Sequence, residues 1–208
     1  MTRADPLAVP SASPPPRNLN IANVLTVVRV ALVPLVAWLL LLDGGADPVL
    51  RLLAFAAFVL AGITDRIDGE LARRRNLVTD FGKVADPIAD KLLLGTVLVG
   101  LSWLGEVPWW ITVVILGREL GVTALRFWVI RHGVIPASSG GKLKTVLQLV
   151  ALGMYLLPLR TWFDGAAEAV ARGTAFAVLL AAVVVTVVTG ADYVVRAVRL
   201  RRSARGGR

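Results

Sequence analysis

Val30–Leu42, Leu52–Thr64 and Leu92–Leu104 are three runs of 13 residues with no charged side chain. Charges crowd one end of each. Arg29 precedes the first, Asp65 and Asp68 follow the second, and Asp86, Asp90 and Lys91 precede the third. A helix of 13 residues is about 20 Å long, whereas the hydrocarbon layer of a bilayer is about 30 Å thick. If successive helices alternate in direction, the charged ends all fall at one level. The expected fold is therefore an all-α, polytopic membrane protein. The outer part of its bundle is apolar and the inner part encloses a polar cavity. A chain that is 56% hydrophobic is too apolar for an ordinary soluble domain.

Six segments are predicted as transmembrane helices, at 22–42, 48–75, 82–104, 107–132, 142–159 and 167–198. The breaks between them, such as "DGGADP" and "RHGVIPASSGGK", carry the Gly, Pro and Asp that suit turns. In a six-span arrangement Arg3, Arg17, Arg73, Arg74, Arg75, Lys83, Arg131, Lys142, Lys144 and the arginines from Arg196 to Arg208 fall on one side. The other side carries Arg51, Arg160 and Arg172 among the acidic residues Asp43, Asp47, Glu106, Asp164 and Glu168. The positive-inside rule then puts both termini, and the open mouth of the cavity, on the cytoplasmic side of the cell membrane. Arg131 and the C-terminal arginines read as topology determinants, and Trp103, Trp109 and Trp110 as an outer aromatic belt. Residues 1–20, rich in Pro and Ser, read as a disordered cytoplasmic tail. Residues 21–198 read as the membrane domain and 199–208 as a basic tail.

The chain has no cysteine and one histidine, His132. Disulfides and zinc–thiolate sites are excluded, and a multi-histidine centre has too few ligands. The net charge of +9 is accounted for by membrane topology, so no nucleic-acid partner is expected.

Asp65 and Asp68 are three residues apart in one predicted helix, and Asp86 and Asp90 are four apart in the next. Each pair shares a helical face, and the short basic turn between them makes the two helices antiparallel neighbours. Four carboxylates can then converge, and their repulsion calls for a cation. Hard oxygen ligands without His or Cys point to Mg²⁺ or Mn²⁺. Four of them can hold two ions, the arrangement that clamps a phosphoryl group during displacement. Gly69 and Gly82 leave room for a ligand at the backbone, and Pro87 is placed to kink its helix at the site. The plainer alternative is a loop of solvated carboxylates. It suits Asp80 and accounts poorly for the other four.

From Asp65 to Asp90 the chain reads D-x-x-D-G-x-x-A-R-x8-G-x-x-x-D-x-x-x-D. This resembles the signature of the CDP-alcohol phosphatidyltransferases at every fixed position: Asp65, Asp68, Gly69, Ala72, Arg73, Gly82, Asp86 and Asp90. The resemblance implies six membrane helices, a homodimer, and two divalent cations on the four aspartates. The cations hold the pyrophosphate of a CDP-linked lipid. Gly69, Arg73 and Thr79 match positions that contact the CDP moiety, with Gly82 beside them. Asp90 matches the proposed general base that deprotonates the acceptor hydroxyl.

Three further stretches resemble the branch of that family that makes phosphatidylglycerophosphate. "NIANVLTVVRVALVP" carries Asn23, Thr26 and Arg29, grouped with the CDP-lipid site. "GRELGVTALR" carries Arg118, Glu119 and Arg126, and "GGKLKTVLQ" carries Lys142, Lys144 and Thr145. Arg118 and Arg126, eight apart, lie near one helix face. With Lys142 and Lys144 they are expected to surround an acceptor phosphate. The alternatives are an internal Arg118–Glu119 ion pair, and lysines that snorkel to lipid headgroups. The expected reaction transfers a phosphatidyl group from CDP-diacylglycerol to glycerol 3-phosphate and releases CMP. Its closest rivals keep the chemistry and change the acceptor to phosphatidylglycerol or an inositol phosphate. A divalent-cation transporter is a rival of another class, but the apolar outer halves of the spans offer an ion no exit.

Overall fold

A computed structural model describes residues 21–74, 80–129 and 139–206, with side chains within 24–64, 87–128 and 140–201. Among the described residues the chain is helix and turn, without a strand. Helix α1 spans Ile21–Leu41, α2 Pro48–Arg74, α3 Asp80–Trp103, α4 Trp109–Val129, α5 Ser139–Leu156, α6 Leu159–Trp162 and α7 Gly165–Gly206. Each segment predicted as a helix is one, with shifted ends. Asp80 opens α3 and is not part of a loop, and an acidic residue suits a helix N-terminus. α3 runs unbroken through Pro87. α5 stops at Leu156 because the residue before Pro158 is held out of the helical region, and the single turn α6 follows. α7 continues past 198 to Gly206, through arginines that are good helix formers.

The helix ends are specified locally. Asp47 caps α2: its Oδ1 accepts the amides of Val49 at 2.7 Å and Leu50 at 3.1 Å. Pro48 fills the first helical position, where a missing N–H costs nothing. α3 ends on Gly105, at φ +73°. There Glu106 N donates to Leu101 O at 2.9 Å and Gly105 N to Ser102 O at 3.1 Å, the paired bonds of a Schellman stop.

α1 packs along both α2 and α3, α7 packs along α4 and α5, and the α2–α5 and α3–α4 contacts join these two groups. Among the described residues α2 and α3 touch each other little, so α1 stands between the helices that the motif makes consecutive. The buried stripes follow helical spacing: Val33, Val36 and Leu40 on α1; Ala54, Ala57, Phe58 and Ala61 on α2; Val97, Leu98 and Leu101 on α3. At Gly100 a Cβ would come within 2.8 Å of Leu40 Cδ2, so the Leu40 side chain of α1 packs directly onto the backbone of α3. The opposite faces remain apolar and exposed, with Val27, Leu35, Trp38, Leu53, Leu60, Val184 and Val188. Exposed apolar surface of this extent marks an interaction with lipid or protein. Val24–Gly45 and Gly165–Arg201, of mean hydropathy 2.4 and 2.3, are long and apolar enough to cross a membrane, and Pro48–Thr64 is a shorter apolar helix. α3, α4 and α5 carry the clustered charges that interrupt their apolar stretches.

A buried clamp closes one end of the bundle. Arg51, at the start of α2, donates to Glu106 Oε1 at 2.5 Å and Oε2 at 2.8 Å. It also donates to the carbonyls of Gly45 at 3.2 Å and Tyr155 at 2.6 Å. One side chain thereby ties the α1–α2 turn, the α3–α4 turn and the end of α5. The exposed Trp103, Trp109 and Trp110 lie at this same end.

Candidate functional site

The far end of α2 from that clamp carries Asp65, Asp68, Gly69 and Arg73 in its last turns, and the start of α3 carries Gly82 and Asp86. The side chains of these residues and of Asn23 lie outside the described residues, as does Thr79 altogether. Among the described residues no three His, Cys, Asp or Glu gather. Asp90 is described. Its side chain is 52% exposed, and Arg29 Nη1 lies 3.4 Å from its Oδ1. Arg29, on α1, is itself fully buried, and Thr26, one turn earlier, is buried too. The resemblance groups Arg29 with the CDP-lipid; the contact seen here is with Asp90.

Asp90 opens onto a cavity of about 730 Å³ bounded by α2, α3, α4, α5 and α7. Phe58, Ala61 and Gly62 give it an apolar wall on α2. Lys91 stands beside Asp90, and Arg118, Arg126, Lys142 and Lys144 all line the same space. The four predicted acceptor-phosphate residues are thus brought together, and to the aspartate, but they are not equivalent. Arg126 and Lys142 are exposed, and neither has an ion pair among the described residues. Lys144 is buried and ion-paired to Glu119 Oε1, so it does not snorkel. Arg118 donates to the same Glu119 oxygen at 3.2 Å and to Thr189 Oγ1 at 3.1 Å. Its buried Nε has no hydrogen-bond partner among the described residues. The internal Arg118–Glu119 pair considered from the sequence therefore exists, inside the cavity wall.

The sequence reading missed the contribution of α7. Thr189, Asp192, Tyr193 and Arg196 line the cavity, with Arg196 and Asp192 paired at 2.9 Å. By sequence alone Arg196 belongs with the topology-setting arginines. The signal was present: these four residues recur at i, i+3, i+4 and i+7 at the end of a long, largely apolar stretch of the helix. Deeper in the same seam, Gln148 donates to Thr186 at 3.0 Å and joins α5 to α7.

The cavity can do three things chemically. A partly exposed carboxylate on α3 can accept a proton. Four basic residues on α4 and α5 can hold a small dianion. The apolar wall on α2 suits lipid.

Comparison with known proteins follows the same direction. A family model described as CDP-alcohol phosphatidyltransferase matches residues 19–197. A Mycobacterium tuberculosis protein named "Probable phosphatidylglycerophosphate synthase" is 52% identical over 183 residues, which cover 88% of this chain and 84% of the relative. A Bacillus subtilis protein named "CDP-diacylglycerol--glycerol-3-phosphate 3-phosphatidyltransferase" is 38% identical, over 84% of this chain and 93% of its own. A Streptomyces coelicolor protein named "Cardiolipin synthase (CMP-forming)" is 37% identical, over 77% of this chain and 75% of its own.

Proposed function

Since the chain belongs to the CDP-alcohol phosphatidyltransferase family, we propose that it transfers the phosphatidyl group of CDP-diacylglycerol to glycerol 3-phosphate, giving phosphatidylglycerophosphate and CMP. The observation that carries this acceptor is the position of Arg126 and Lys142, exposed in the cavity that Asp90 also lines. A small phosphorylated alcohol suits such a pair. The relative at 52% identity, named for phosphatidylglycerophosphate synthesis, supports the same choice.

Asp65, Asp68, Asp86 and Asp90 would hold two divalent cations, Mg²⁺ or Mn²⁺. The donor set fits: all four are hard oxygen ligands, paired at three and four residues on α2 and α3, and Asp90 faces open space. Bound there, the cations would neutralise the pyrophosphate and acidify the acceptor hydroxyl. Gly69, Arg73, Thr79 and Gly82, with Asn23 and Thr26, would hold the CDP-lipid, whose acyl chains pass along the apolar α2 wall. Arg126 and Lys142, backed by Arg118 and Lys144, hold the acceptor phosphate. Asp90 takes the proton of the acceptor hydroxyl. The hydroxyl oxygen then bonds to the lipid-side phosphorus, the bond from that phosphorus to the CMP oxygen breaks, and CMP leaves. The reading includes six membrane spans in the cell membrane, both termini and the cavity mouth facing the cytoplasm, and a homodimer.

The test is CMP release by the purified protein, supplied with CDP-diacylglycerol and Mg²⁺, for glycerol 3-phosphate, inositol phosphate, serine and phosphatidylglycerol offered singly. Release with glycerol 3-phosphate alone, abolished by EDTA and restored by Mg²⁺ or Mn²⁺, is expected. The Streptomyces relative named as a cardiolipin synthase makes phosphatidylglycerol the second acceptor to watch. Release with that lipid alone would replace the acceptor and keep the chemistry.

A further inference from the structure

We infer that Glu119 is a positioning residue for the acceptor site, and that Gly190 on α7 is the gap its bridge requires. The inference rests on the assignment of Arg118 and Lys144 to acceptor phosphate. Neighbouring positions on a helix do not face each other, so the pairing of Arg118 with Glu119 is not a local product of α4. It arises because Lys144 of α5 binds Glu119 on one side and Thr189 of α7 binds Arg118 on the other. Glu119 Oε1 accepts from both cations, so one carboxylate oxygen spaces two positive groups that would otherwise repel.

Arg118 reaches Thr189 only by lying across α7 at Gly190. A Cβ there would meet Arg118 Cγ at 3.0 Å, Nε at 3.3 Å and Cδ at 3.7 Å. The stem of Arg118 would have to shift by a few tenths of an ångström while its head is held by Thr189 and Glu119. The inner cations, Arg118 and Lys144, are thus fixed by three helices, whereas Arg126 and Lys142 stand exposed. The fixed pair sets where a phosphate comes to rest relative to Asp90.

The experiment compares KM for glycerol 3-phosphate with KM for CDP-diacylglycerol in Glu119→Gln, Gly190→Ala, Thr189→Val and Gly173→Ala. Glu119→Gln keeps the shape and removes the charge. Its KM for glycerol 3-phosphate is expected to rise about tenfold or more, the effect of losing hydrogen bonds to charged groups, with KM for CDP-diacylglycerol nearly unchanged. Gly190→Ala and Thr189→Val are expected to move the same constant by a few fold. Gly173, on the same helix, has nothing within 4 Å of a Cβ, so Gly173→Ala should behave as the wild type. A general loss of packing would raise both constants or lower kcat alone, and either pattern overturns the inference. So does an unchanged KM for glycerol 3-phosphate. Should Glu119→Gln fail to fold, Gly190→Ala and Thr189→Val decide the matter. If the wild type turns over only another phosphorylated acceptor, the acceptor assignment falls, and the same comparison on that acceptor decides the role of Glu119.

Discussion

Arg29, on α1, is fully buried, and its Nη1 lies 3.4 Å from Oδ1 of Asp90 on α3. Asp90 is thus one of the groups that offset this buried cation, and it contributes to the fold as well as to the proposed chemistry. Asparagine still offers an oxygen to Arg29 but cannot take a proton. Asp90→Asn should therefore retain the fold, measured by thermal unfolding in detergent, while CMP release falls by about 10²–10⁴-fold, the range for a lost general base. Wild-type turnover in that variant would remove Asp90 from the base role. Lys142 and Lys144 look alike in the sequence, two residues apart. Positions two apart point to different sides of a helix, and here Lys142 is exposed while Lys144 is buried against Glu119. Lys142→Ala should raise KM for glycerol 3-phosphate about tenfold and leave KM for CDP-diacylglycerol nearly constant. The reverse would assign Lys142 to the lipid. The cluster was legible because charged residues interrupt the apolar stretches of α4 and α5. The division of labour within it was not, because burial is set by the neighbouring helices.

The elements that fix the site are held at their other end by Arg51 and Glu106. In the sequence these two read as sparse outer charges, 55 residues apart. Folded, they form a two-bonded ion pair whose side chains are only 8% and 14% exposed. Glu106→Ala would leave Arg51 buried without its carboxylate, and such losses cost about 3–5 kcal/mol. Denaturant unfolding in detergent should register that loss, with KM for both substrates unchanged below the unfolding transition. A stability equal to the wild type would mean that water replaces the carboxylate. α7 teaches a related point. Its sequence reads as a membrane helix with a basic end, yet Thr189, Asp192, Tyr193 and Arg196 form one polar stripe. The spacing of that stripe is visible in the sequence, but the cavity it faces is completed by α2, α3, α4 and α5.

For the whole molecule, the proposed orientation across the membrane has the widest reach. The chain lacks cysteine, so single cysteines introduced one at a time give labelling without background. Ala167→Cys, exposed at the start of α7, should react with a membrane-impermeant maleimide in intact cells. Ser203→Cys should react only after the cells are opened. The opposite pattern would invert the topology and move the cavity to the outer face. The sequence by itself determined the helical class, the positions of the helices and the residue types available for chemistry. It could do so because apolar runs, the turn residues between them and the cost of charge in an apolar run are local properties of the chain. Tertiary structure alone decided that α1 stands between α2 and α3, that Arg29 is buried against Asp90, and that α7 walls the cavity. It also decided which of the basic residues are bound by Glu119 and which stand exposed. These follow from contacts between residues far apart in the chain, where several helix arrangements satisfy the same apolar pattern and only side-chain packing and charge pairing select among them.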